Sequence, residues 1–94
     1  MNQITGYEES RERCTESGWY AYDYLLEKPM EKEDVVKLRP LGSFLFLSAL
    51  KQPFFKVEND YYILKGIQGE CHFRIAVHSE YEYKVKEIMD FFNK

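Results

Sequence analysis

Apolar and polar positions along this chain follow two different periods, and each change of period marks an expected element. After Pro53 the pattern is that of strands. FFKVE and YYILKGI are β-rich runs separated by the polar pair Asn59-Asp60, the arrangement of a hairpin. Gln68-Gly69-Glu70 makes the next turn, and CHFRIAV follows with strict alternation. Its period of two sends Cys71, Phe73, Ile75 and Val77 to a core face and His72, Arg74, Ala76 and His78 to the opposite one. The period then lengthens. Ser79 with Glu82 three residues later reads as a capping box, and Tyr81, Val85, Ile88, Met89 and Phe92 form a helical stripe.

In the first part of the chain, Thr5 and Glu8 have capping-box spacing, and a helix is expected from about residue 6 to 27. Cys14, Ala21, Tyr22, Leu25 and Leu26 recur at helical intervals, and Glu9 precedes Arg13 by four, a favourable surface pair. Gly18 inside this pattern costs about 1 kcal/mol relative to alanine, so two shorter helices meeting near Ser17 and Gly18 are the alternative. Trp19, Tyr20 and Tyr24 fall outside the stripe and require cover from a sheet, from the following loop or from a partner. Pro29 ends the segment. EKEDVVKL fits a short helical turn or a linker, and SFLFLSAL, bracketed by Gly42 and Pro53, reads as a buried strand rather than a short helix.

The expectation is therefore one α+β domain over residues 1–94: an N-terminal helix, an antiparallel three- to four-stranded meander, and a C-terminal helix packed on one face of the sheet. A winged helix competes, with SFLFLSALK as recognition helix and the Asn59-Asp60 hairpin as wing. That segment offers DNA only Lys51 and two serines.

Composition adds weight to a folded domain. Sixteen of the 94 residues are aromatic, and 45% hydrophobic with 31% charged residues lies well away from the composition of disorder. The net charge of −3 provides no global field for nucleic acid, which is disfavoured as a partner. No apolar run approaches the ~18 residues of a membrane span, and MNQITGYEESRERC lacks the apolar core of a secretory signal, so a cytosolic protein without membrane association is expected. Cys14 and Cys71 fit neither a zinc site nor a disulfide framework and read as buried thiols.

Candidate chemistry is sparse. His72 and His78 lie six residues apart, about 20 Å along a strand, too far to share one metal, and nothing calls for a metal or cofactor. The serine-hydrolase elbow, the zinc-protease helix and the phosphate-cradling glycine loop are all missing, which favours a binding module over an enzyme. The polar sheet face carries Lys56, Lys65, His72 and Arg74, with His78 beside the last helix. Together with Trp19, Tyr20 and Tyr24 these residues form the expected binding surface. The expected function is thus a small protein-binding or regulatory module. Its surplus of aromatics and its sheet edges favour self-association as a homodimer. The alternative is a small-molecule sensor or small enzyme, with an aromatic-lined pocket between the N-terminal helix and the sheet.

Overall fold

The computed structural model describes residues 2–10 and 18–94. In chain order the elements are β1 (Ile4–Glu9), β2 (Trp19–Leu26), α1 (Lys32–Lys37), β3 (Ser43–Leu47), β4 (Phe54–Glu58), β5 (Tyr62–Ile67), β6 (His72–His78) and α2 (Lys84–Phe92). The six strands form a single antiparallel sheet in the order β1-β2-β6-β5-β4-β3.

This corrects the expected fold at its N-terminal side: the described residues carry no N-terminal helix, and the sheet has six strands rather than three or four. The run WYAYDYLL is bulky at nearly every position, so it matches a helical stripe and a strand alternation equally well. Its aromatic composition, and a partner strand in β6, decide for the strand. Tyr22, Tyr24 and Leu26 then face the core, whereas Ala21 and Leu25, assigned above to the same helical stripe, point the other way. Gly18 has φ of 84°, a left-handed conformation suited to a turn and not to a helix interior. The Thr5 hydroxyl donates to the Leu25 carbonyl across the β1–β2 ladder instead of capping a helix. Cys14, Arg13 and Ser17 lie outside the described residues.

β6 follows the alternation read from the sequence and β4 with β5 forms the expected hairpin, whereas SFLFL, expected as a buried strand, lies at the edge of the sheet with none of its residues buried. SFLFL is β3, so the winged-helix alternative has no recognition helix. The β4–β5 turn is held by Asn59, whose Oδ1 accepts from the amides of Tyr61 and Tyr62 while its Nδ2 donates to the Leu41 carbonyl. EKEDVVKL does contain a helical turn, α1. It lies in the connection that carries the chain from β2, second in the sheet, to β3 at the far edge. Asp34 Oδ2 accepts from the Glu31 amide at its start, and Lys37 donates to the Phe92 carbonyl and sits 4.9 Å above that ring.

One face of the sheet carries the core. Tyr24, Phe55, Leu64, Phe73 and Ile75 pack there against Val35 and Leu38 around α1 and against Val85, Ile88 and Phe92 of α2. The stripe anticipated for α2 is the one it buries, with Tyr81 and Met89 packed at its margin. Its start differs. Ser79–Tyr81 is a short 3-10 turn in which His78 Nδ1 accepts from the Glu80 amide, and α2 begins after Tyr83 without a side-chain cap. Cys71, expected in the core, is an exposed free thiol, because the ladder begins one residue later and Cys71 belongs to the turn.

Two tyrosines on the core face tie the sheet to the segment that holds α2. Tyr24 donates its buried hydroxyl to the Val85 carbonyl at 2.7 Å, and Tyr22 donates to Glu82 at 2.7 Å. The Glu82 hydrogen bond, then burial, push the Tyr22 phenol up to about 12, and burial also raises Tyr24 and Tyr62 above their ordinary value of 10.0. A raised phenol binds its proton more tightly when folded, so this stabilisation is complete below about pH 10. It is lost as pH climbs through the folded values. The denaturation midpoint should accordingly fall above about pH 10, with a late fraction of the tyrosinate absorbance appearing only together with unfolding. Ionisation of all eight tyrosines in one step while the circular dichroism stays native would contradict this.

Candidate functional site

With both helices and the core on one face, no further element among the described residues covers the other face of the sheet, which is called the open face below. The ladder register defines what it displays. One row of side chains crosses the sheet as Glu8 (β1), Asp23 (β2), Arg74 (β6), Lys65 (β5), Lys56 (β4) and Leu45 (β3). On one side of this row stand Leu25, His72, Ile67, Phe54 and Leu47, and on the other Ala21, Ala76, Ile63 and Glu58.

Arg74 Nε donates to Asp23 Oδ1 at 2.8 Å, a half-buried ion pair between neighbouring strands, and Lys56 lies 3.4 Å from Glu58 on its own strand. Like charges also stand directly opposite each other in the ladder, Glu8 against Asp23 at one end of the row and Lys65 against Lys56 at the other. Such cross-strand pairs weaken an isolated sheet. The six charged strand positions balance, with Glu8, Asp23 and Glu58 against Lys56, Lys65 and Arg74.

Of the residues singled out from the sequence, Lys56, Lys65, His72 and Arg74 come together on this face. Phe54, Lys65, Ile67, His72 and Arg74 border a shallow concavity of about 460 Å³ there. Trp19 and His78 are paired at the end of the same face, their rings 5.8 Å apart and edge to face. Tyr20 and Tyr24 do not join them. Both point to the core side, Tyr24 fully buried and Tyr20 exposed at its margin, so neither belongs to the open surface. The pocket expected between an N-terminal helix and the sheet has no such helix to form it, and the space above the sheet is filled by the packed core.

Sequence reasoning missed Glu8, Asp23, Leu25 and the isoleucines of β5. The available signal was the alternation in WYAYDYLL, which places Asp23 and Leu25 on one side once the segment is read as a strand. Comparison with family models, curated proteins and solved structures finds no match to this chain.

Proposed function

We propose that this protein is a small binding module that docks a protein partner on the open face of its sheet. The observation that carries the reading is the composition of that face: charges of both signs in balance, interleaved with Leu25, Leu45, Leu47, Phe54, Ile63 and Ile67. Of these, Leu25, Leu45 and Leu47 are exposed. Exposed leucines among charges of both signs suit a protein surface of mixed charge better than a polyanion, which selects for uniformly positive faces. The exposed, free Cys71 supports a reducing, cytosolic setting. Among the described residues no helix is long and apolar enough to cross a membrane.

A photoreactive side chain placed at position 65, in the middle of the open face, tests the reading in the native cell. Position 86, exposed on α2, serves as the control. Defined protein adducts are expected from position 65 and not from position 86. Equal labelling from both, or none from position 65, would sink the reading.

A further inference from the structure

We infer that the occupant of the open face is a second copy of the same chain, stacked face to face about a two-fold axis parallel to β6. This rests on the open face being the docking surface. The central row is polarised: it runs from Glu8 and Asp23 at the β1–β2 side to Lys65 and Lys56 at the β5–β4 side, with Arg74 in the middle. A two-fold axis lying between the sheets and along β6 reverses strand order while keeping each row over itself. Glu8 then faces the partner's Lys56, and Asp23 faces the partner's Lys65. Both like-charge ladder pairs gain opposite charges from across the interface.

The apolar rows obey the same operation. Leu25 stands over the partner's Ile67 and Ala21 over the partner's Ile63, while β6, lying on the axis, meets its own copy with His72, Arg74 and the small Ala76, the Arg74 charge being held by Asp23 of its own chain at 2.8 Å. An axis running across the strands would instead set Glu8 on Glu8 and Lys56 on Lys56. The charge row therefore selects one of the two face-to-face arrangements. Among the described residues neither Glu8 nor Lys65 has an ion-pair partner within the chain, so both are available to a second copy. Five strands of about five residues give a planar footprint of roughly 24 Å by 16 Å on each copy, the size of a weak, transient interface, with β3 outside the overlap.

The test is a pair of charge swaps, Glu8→Lys and Lys56→Glu, followed by sedimentation across a concentration series. Each swap removes a like-charge pair within its own ladder; Glu8→Lys is expected to melt no lower than the unsubstituted protein, while Lys56→Glu also exchanges the exposed Lys56–Glu58 ion pair for a like-charge pair and is expected to remain folded, as circular dichroism checks. Each alone places like charges across the interface and should weaken dimerisation at least ten-fold. Mixing the two restores both contacts, and the equimolar mixture should regain the affinity of the unsubstituted protein.

Recovery on mixing supports the stacked dimer. A monomer at all concentrations overturns it, as does a dimer indifferent to the swaps, which would point to edge pairing, or a mixture that fails to recover. A second measurement needs no substitution. Glu8 and Lys56 are four strand spacings apart, about 19 Å, so a zero-length carbodiimide link between them forms only between copies. Its absence at concentrations giving dimer also overturns the inference. If the protein is monomeric while position 65 captures a foreign protein, this inference fails and the open-face reading survives. Absence of any adduct at position 65 removes both.

Discussion

Phe73→Ala is expected to destabilise the domain by about 3–5 kcal/mol, a large part of the roughly 5–14 kcal/mol that a domain of this length can hold. Phe73 is on β6, the third of six strands, and is 1% exposed. Its ring centroid lies 4.9 Å from that of Tyr24, 5.8 Å from that of Phe92 and 6.2 Å from that of Phe55. It therefore joins β2, β4 and α2 in one aromatic cluster, and its removal leaves a cavity that none of the three can close without leaving another partner. Urea denaturation followed by circular dichroism measures the loss. A change below about 1 kcal/mol would mean that the core collapses around the gap, contrary to the packing described.

Gly66→Ala is expected to cost about 2–3 kcal/mol, although alanine is ordinarily favoured over glycine in a strand. Gly66 sits on the core face of β5 between Phe55 and Phe73, its register partners. A methyl group there would meet Phe55 Cε1 and Phe73 Cβ, each at 2.8 Å. Phe73 Cβ is tied to the backbone and cannot yield, so the strands must part or Phe55 must leave its rotamer. Combining Gly66→Ala with Phe55→Leu, which removes the ring atoms in the way, should cost less than the sum of the single changes. Strict additivity, or a neutral single change, would show that the rings do not fill the space above the glycine.

These residues also mark how much the sequence disclosed. The strict alternation of HFRIAVH admits only one face for Phe73, Ile75 and Val77, and the stripe of α2 admits only one buried side. The same reading failed over Trp19–Leu26, where bulky residues at nearly every position satisfy both a helical and a strand period. Periodicity does not separate the two there, and the ladder with β6, about fifty residues away in the chain, decides. The candidate surface divides in the same way. Lys56, Lys65, His72 and Arg74 were legible because their segments were read as strands, whereas Glu8, Asp23 and Leu25 were hidden with the misread segment.

The sequence by itself determined β4 to β6, the buried side of the C-terminal helix, and a polar stripe on the far side of β6, because short-range periodicity and turn residues suffice for each, whereas periodicity alone left SFLFLSAL open between strand and short helix. Only the tertiary structure decided that β1 and β2 join the sheet on the free side of β6, which turns a meander with an exposed edge into a six-stranded platform. The long-range side-chain clamps belong to the same category. Asn93 exchanges hydrogen bonds with both backbone groups of Ile4, and Asn2 bridges the Lys28 backbone and Asp34. Nothing in the vicinity of an asparagine in the sequence announces such a partner, since a hydrogen bond between residues 89 positions apart exists only after the chain has closed. The polarised row from Glu8 to Lys56 has the same origin: its five charges come from five separate strands, and only their lateral order makes them a single feature.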